Sequence, residues 1–241
     1  YNKVKKIAII IPTFNELENI EKLINSIFNN VPEITIFIVD DTNNTKLGDL
    51  IKSKNLVVKY LHRENSRGRG SAVLHGFKKA LDENKFDIFI EMDADFSHNP
   101  NELKKNLDKF EKNELDLLIA SRYHEKSEII NWGFRRRAFS KLANFLARIL
   151  LGIKLKDFTN GFRIYSKRAA EKITLKCGNI GEGFIILSEI IVVIKNNKFK
   201  IQETDTVFVN RVRGESSVNI KLVLESFFGI IKLFFIKNKL H

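Results

Sequence analysis

A single cysteine, Cys177, stands in a chain of 241 residues, so no intrachain disulfide can form. It has no CxxC partner and no Cys/His neighbours, which disfavours a zinc site and leaves a free structural thiol. One cysteine also agrees with a reducing, cytosol-facing compartment. Long apolar runs are missing as well. The most apolar stretch, residues 222–236, is interrupted by Glu225 and Lys232, short of the roughly 18 apolar residues a transmembrane helix needs. The first six residues are polar and the apolar run at 7–11 is too short for a signal core, so no signal peptide is expected. The glycines make neither a G-x-G-x-x-G, because Val73 stands three residues after Gly70, nor a Walker loop. Dinucleotide binding and P-loop chemistry are thereby disfavoured. No internal repeat and no low-complexity linker divides the chain.

What is present is apolar material for a core, 44% of the residues, and a formal charge of +12. The charge is unevenly placed. Residues 1–120 carry 18 basic and 19 acidic side chains, residues 121–241 carry 23 and 10. Such asymmetry points to a partner rather than to a fold.

The first half alternates short apolar runs with helical spacing. Strands are expected at 7–11, 34–39, 56–61, 86–91 and 115–120, and helices at 17–28, 71–81 and 103–110. Apolar strands alternating with helices indicate an α/β fold with a mostly parallel sheet covered on both faces. The second half is less regular, with helices expected at 138–152, 182–194 and 220–236 and strands at 199–203 and 206–210.

In parallel sheets ligands bind beyond the carboxyl ends of the strands. Those ends here read Pro12-Thr13-Phe14-Asn15-Glu16, Asp40-Asp41-Thr42-Asn43, and Asp93-Ala94-Asp95-Phe96-Ser97-His98, with Arg63 leading into Ser66-Arg67-Gly68-Arg69-Gly70. Asp93 and Asp95 read either as a pair sharing a hard cation, Mg²⁺ or Mn²⁺, that bridges to substrate phosphates, or as a solvated turn. Asp40-Asp41 reads as a ribose or base contact, or as a turn cap. Gly68 and Gly70 open a helix, where backbone N–H groups favour an anion. Trp132 reads equally as core or as a ligand platform, and Arg163 as an ion-pair partner for Asp157.

Together these residues resemble family-2 glycosyltransferases, from Ile11-Pro12-Thr13-Phe14-Asn15-Glu16 through Val39-Asp40-Asp41, Gly68-Arg69-Gly70 and Glu91-Met92-Asp93-Ala94-Asp95. The continuation narrows the resemblance to the polyprenyl-phosphate branch, the dolichol-phosphate mannose synthases. It comprises Ser121-Arg122-Tyr123, Asn131-Trp132-Gly133, Arg135-Arg136, Asp157 to Arg163, Phe208-Val209-Asn210-Arg211 and Gly214-Glu215-Ser216. Phe14 stands where that family usually has tyrosine. The resemblance implies a GT-A nucleotide-diphospho-sugar transferase fold over 1–217, with a donor half to residue 120, an acceptor half beyond it, and an apolar helix at 218–241. It implies inverting, metal-dependent transfer of mannose from GDP-mannose to dolichyl or another polyprenyl phosphate, with another nucleotide sugar (UDP-glucose or a UDP-N-acetylhexosamine) or another acceptor as the alternative. Pro12, Phe14, Glu16, Val39, Asp40, Asp41, Asp93, Ala94 and Asp95 would bind the nucleotide sugar. Asp93, Asp95 and Ser97 would hold Mg²⁺ or Mn²⁺, and Arg122, Arg136, Ser140 and Arg211 the acceptor phosphate, with Asp95, Arg122 and Arg136 closest to catalysis.

The basic half fits a lipid phosphate and an anionic surface better than nucleic acid, since it has no nucleic-acid motif. Apolar positions 138, 139, 142, 143, 145, 146, 149 and 150, beside Arg135, Arg136, Arg137, Lys141 and Arg148, give the pattern of a basic amphipathic helix in a bilayer interface, or of an ordinary surface helix. A peripheral location on the cytoplasmic face of a membrane is expected. The 220–240 segment would be a second interfacial helix or a dock for a membrane-embedded partner.

Overall fold

A computed structural model describes residues 4–64, 68–210 and 220–240, the side chains of the last segment from Phe228 onward. The elements run β1 (Ile7–Thr13), α1 (Ile20–Asn30), β2 (Ile34–Asp40), α2 (Lys46–Ser53), β3 (Lys59–His62), α3 (Arg69–Asp82), β4 (Ile88–Glu91), α4 (Leu103–Lys112) and β5 (Leu117–Ala120). They continue with β6 (Glu128–Ile130), α5 (Phe134–Leu151), β7 (Arg163–Ser166), α6 (Lys167–Lys176), α7 (Ile185–Asn196), β8 (Ile201–Thr204), β9 (Val207–Val209) and α8 (Ile220–Ile236).

Seven strands form one sheet in the order β3-β2-β1-β4-β7-β5-β8, and β6 pairs with β9 in a small second sheet. Every pairing is parallel except those of β7, which runs antiparallel to both β4 and β5. The apolar runs of β1 and β2 follow from burial on both faces. Ala8 and Ile10 of β1 pack into one core with α3, α6, α7 and the inner face of α8. Ile9 and Ile11 pack into the other with α1, α2 and α4. Helix α3 lies unusually close to the sheet. A Cβ on Gly76 would come within 2.6 Å of Ile10 Cγ2, so only glycine lets the helix settle there. Ile230, Leu233 and Leu240 join the α7 side of the core, and Asn196 Nδ2 donates to the Lys237 and Leu240 carbonyls at 2.6 and 2.9 Å.

Several elements differ from the sequence expectation. The third strand begins at Lys59 rather than at 56, and α5 begins at Phe134, four residues before the expected start. α2, β6, β7 and α6 were not anticipated. α2 carries a mid-helix glycine, Gly48, which lies against the Tyr60 ring, 2.8 Å from where its Cβ would stand. β7 is only four residues long and opens on an arginine, so it shows no strand-like apolar pattern. Arg163 also corrects the expected ion pair with Asp157. Its wholly buried guanidinium donates to the carbonyls of Asn160 (2.8 Å), Phe158 (3.0 Å) and Leu187 (2.8 Å). Asp157 takes Arg122 instead, at 2.7 Å. Three carbonyls aimed at one point match the fan of guanidinium donors, and Glu91 lies 3.8 Å away as countercharge.

Candidate active site

The carboxyl ends of β2, β1 and β4 lie side by side, with Thr13 opposite Asp40 in register. Asp40 is completely buried. Its Oδ1 accepts from Thr13 Oγ1 (3.1 Å), Thr42 N (3.1 Å) and Thr42 Oγ1 (2.6 Å), and its Oδ2 from Tyr60 Oη at 2.8 Å. Burial and the neighbouring Asp40 carboxylate push the Tyr60 phenol above its ordinary range. Asp41 gives both oxygens to Arg63, at 2.6 Å each, and Oδ2 also accepts from Gly68 N at 3.1 Å. Both carboxylates thus brace the loops of this crevice. The β1 loop is tied to them, because Asn15 N donates to Thr42 Oγ1 at 2.9 Å and Asn15 adopts a left-handed φ of 59°. Phe14, in this turn, is 44% exposed, while Glu16 accepts from Asn19 Nδ2 at 3.1 Å. Pro12 and Val39 stand opposite each other in the last strand pairs.

The acidic loop after β4 folds back on itself. Phe96 takes a left-handed φ of 59°, uncommon for a bulky side chain and a sign of local constraint. Ser97 N then reaches Asp95 Oδ1 at 3.0 Å, and Asp93 N donates to His98 Nδ1 at 3.1 Å. Because Nδ1 accepts, Nε2 carries the proton and donates to Asn160 Oδ1 at 2.9 Å. Asp93, Ala94, Asp95 and Ser97 therefore share one short turn.

Arg69, at the start of α3, connects this turn to its surroundings. Its Nε donates to Asp93 Oδ1 at 2.7 Å, Nη1 to Glu91 Oε2 at 3.1 Å, and Nη2 to the Gly161 carbonyl at 3.0 Å. Burial draws its pKa down, but the Asp93 and Glu91 carboxylates outweigh this and hold it above its ordinary value. The glycines read as an anion cradle also have a packing role. A Cβ on Gly68 or Gly70 would come within 2.6 Å of the carbonyl of Glu182 or Gly183 respectively.

The donor set fits a hard divalent ion. Asp93, Asp95 and the Ser97 hydroxyl offer oxygen only, and among the described residues no three acidic, His or Cys side chains come together as a metal site. Mg²⁺ and Mn²⁺ suit such a partial shell, since they accept remaining ligands from phosphates and water.

Across the same crevice lies a cationic–aromatic cluster. Arg122 and Arg136 place their guanidinium carbons 5.3 and 4.5 Å from the Trp132 ring centre. Phe208 meets Trp132 edge-on at 5.4 Å and His98 at 5.6 Å. One aromatic wall thus runs from the acidic loop to the arginines. Arg136 Nη1 donates to Asn210 Oδ1 at 2.9 Å. Ser140 Oγ accepts from Tyr123 Oη at 2.6 Å. Arg122 is mostly buried, with Nε and Nη2 on Asp157 at 2.8 and 2.7 Å. Arg211 lies outside the described residues.

Arg69, His98 and Asn160 stand inside the sequence motifs, but the sequence assigns them no role of their own. The signal for His98 was its place five residues after Asp93, a spacing that lets a loop close. Arg69 offered only a basic residue between glycines, and its partners Glu91 and Gly161 are remote in sequence.

Comparison with known proteins bears on this site. The glycosyl transferase family 2 model matches residues 8–174. The polyprenol monophosphomannose synthase of Mycolicibacterium smegmatis is 33% identical over 94% of this chain and 86% of its own length. The dolichol-phosphate mannosyltransferase of Pyrococcus furiosus is 35% identical over 95% of this chain and 63% of its own length. The undecaprenyl-phosphate mannosyltransferase of Micrococcus luteus is 30% identical over 94% and 93%. Among solved structures, glucosyl-3-phosphoglycerate synthase from Mycobacterium tuberculosis, in complex with Mn²⁺, UDP-glucose and phosphoglyceric acid, superposes with a TM-score of 0.68. It is 17% identical, with 99% of this chain and 81% of that one covered, a likeness of GT-A fold. The chain is a glycosyltransferase and belongs to glycosyl transferase family 2.

Proposed function

We propose that the protein transfers mannose from GDP-mannose to dolichyl or another polyprenyl phosphate, with inversion, at the cytoplasmic face of a membrane. The observation that carries the reading is the shared wall from Asp93 through His98, Phe208 and Trp132 to Arg122 and Arg136. It puts the acidic loop and two arginines on one aromatic wall, which supports reading them as donor and acceptor sites. The names of the three relatives support mannosyl transfer to a lipid phosphate.

The donor nucleotide sits at Pro12, Phe14, Glu16 and the loops that Asp40 and Asp41 brace. Asp93, Asp95 and Ser97 would hold Mg²⁺ or Mn²⁺, which would supply positive charge to offset that of the departing diphosphate. The acceptor phosphate is largely dianionic near neutral pH, since its second pKa is about 6, so no dedicated base is needed. One acceptor oxygen attacks the anomeric carbon as the bond to the diphosphate breaks, and nucleoside diphosphate leaves. Arg136 and Arg122 offset the repulsion between the two anions through charge-assisted hydrogen bonds. Arg122 is buried and fixed by Asp157 before the acceptor arrives, whereas Arg136 is only partly buried.

The acceptor's membrane is met by α5. Phe134, Phe139, Leu142, Phe145 and Ile149 are exposed at 85, 48, 53, 57 and 59%, as are Phe228 (64%) and Phe235 (74%) on α8. Arg135, Arg137, Lys141 and Arg148 accompany the α5 stripe, a pattern suited to an anionic interface. No helix among the described residues is long and apolar enough to cross a membrane, so contact through these faces is interfacial.

The test is incubation with radiolabelled GDP-mannose, UDP-glucose or UDP-N-acetylglucosamine, dolichyl phosphate and Mg²⁺ or Mn²⁺, followed by solvent extraction. A mannosyl lipid formed with GDP-mannose alone supports the reading, and transfer only from a UDP-sugar overturns the donor assignment. Arg136→Ala should raise the KM for lipid phosphate at least roughly tenfold, the loss of one charge-assisted contact. Unchanged turnover at limiting acceptor would remove Arg136 from the acceptor site.

A further inference from the structure

The guanidinium of Arg69 sits on the carboxylate that the proposed metal site uses. It cannot withdraw without consequence. Glu91 is 1% exposed and relies on Arg69 at 3.1 Å, with Tyr165 Oη at 2.6 Å and Arg163 at 3.8 Å as its other partners. Gly161 is shaped to receive the same guanidinium. A Cβ there would fall 1.8 Å from Arg69 Nη2, so any larger residue would displace the side chain. Three elements thus converge to hold one positive charge against Asp93.

We propose that Arg69 is a positioning residue that half-neutralises Asp93, weakens the site for a free divalent ion, and couples metal binding to arrival of the diphosphate. A dication entering beside Asp93 meets a fixed guanidinium. At a separation of about 6 Å with water-like screening, that repulsion corresponds to roughly tenfold in affinity. A diphosphate reverses the sign. Its oxygens lie between the two cations and are attracted by both, so metal and nucleotide bind together more tightly than either binds alone. The idle enzyme holds little metal, and its acidic loop keeps its shape because Arg69 substitutes for the missing positive charge.

This inference rests on the metal reading above, and Mn²⁺ titration followed by the free-ion electron paramagnetic resonance signal separates the two. Full-length protein is titrated with and without GDP. In the wild type, Mn²⁺ binding is weak alone and strengthened by GDP. Arg69→Met is expected to bind Mn²⁺ about tenfold more tightly without GDP and to lose a similar factor of coupling. Arg69→Lys, which keeps the charge, restores wild-type behaviour. Gly161→Ala displaces the guanidinium without changing the charge count and shifts affinity the same way by a smaller factor; it decides the matter if Arg69→Met does not fold. Wild-type coupling with unchanged or weaker Mn²⁺ binding in folded Arg69→Met, or in Gly161→Ala, overturns the inference alone. Absence of Mn²⁺ binding in every protein, even with GDP, overturns the metal reading and the inference with it.

Discussion

Replacing Asp157 by asparagine isolates the interaction that sets Arg122 in place. Asp157 is wholly buried. Its Oδ2 accepts from Arg122 N and Nε at 2.9 and 2.8 Å. Its Oδ1 accepts from Arg122 Nη2 at 2.7 Å, Thr159 N at 3.1 Å and Asn160 N at 3.0 Å. An asparagine keeps one carbonyl for the two loop amides, but its NH₂ then faces the donors Arg122 N and Nε. Two hydrogen bonds are lost and a buried guanidinium loses its countercharge. Breaking a buried pair in this way costs about 3–5 kcal/mol. In a domain of this size that lowers Tm by on the order of 10 °C. Burial pushes the Asp157 carboxyl up, but Arg122 outweighs it and holds the group below its ordinary range. A depressed carboxyl stabilises the fold above the unfolded pKa of about 3.9 and loses that contribution as pH falls toward the folded value. Urea denaturation of both proteins should therefore show a gap that is constant from neutral pH to about pH 5 and narrows below about pH 4. A gap under about 1 kcal/mol at neutral pH, or one that widens in acid, would refute the reasoning.

Other positions test separate links. Tyr60→Phe removes the 2.8 Å donor to buried Asp40 and should cost about 1–3 kcal/mol in urea denaturation, the penalty for an unsatisfied buried acceptor. Gly76→Ala puts a methyl 2.6 Å from Ile10 Cγ2 and should destabilise by about 1–3 kcal/mol despite alanine's better helix propensity. A stability unchanged or raised would mean that α3 can lift from the sheet. Phe139→Ser with Phe145→Ser should leave Tm within about 2 °C yet lower cosedimentation with anionic vesicles by roughly tenfold or more, because each buried phenylalanine contributes about 1.5–3 kcal/mol. Unaltered cosedimentation would take α5 out of the membrane contact.

The parts of the fold that were legible are those where burial acts on both faces of an element. β1 and β2 are almost unbroken runs of Ile, Val and Phe, and α4 repeats Leu103, Leu107 and Phe110 at helical spacing. What escaped was set by single long-range contacts. β7 reads Arg-Ile-Tyr-Ser, and Arg163 is buried only because three carbonyls, two of them from residues 158 and 160, await it. The start of α5 is hidden by three consecutive arginines, which suit a solvated helix end as well as a loop. At the site, the clustering of Asp93, Asp95 and Ser97 could be read locally, since all lie in one turn. The bracing of Asp40 by Tyr60 and the reach of Arg69 to Gly161 span 20 and 92 residues. Motif reading assigned Asp40 and Asp93 to the ligand, whereas the structure shows them also held by Tyr60 and Arg69.

The antiparallel strand β7 has a consequence for how the molecule is made. β4 and β5 are consecutive strands in the chain, yet they do not touch; β7 lies between them, with Arg163 paired to Glu91 and Ile119. A nascent chain that has left the ribosome only as far as β5 therefore carries the acidic loop on β4, the edge of the β3-β2-β1-β4 part of the sheet, while β7 and β8, the partners of β5, are still to come. β4 then presents one unpaired edge, and β5 has neither of its partners. Closure waits for more than forty further residues, including all of α5. The apolar face of that helix thus emerges before the sheet is complete, so the membrane contact proposed for it would be available before the final folding step.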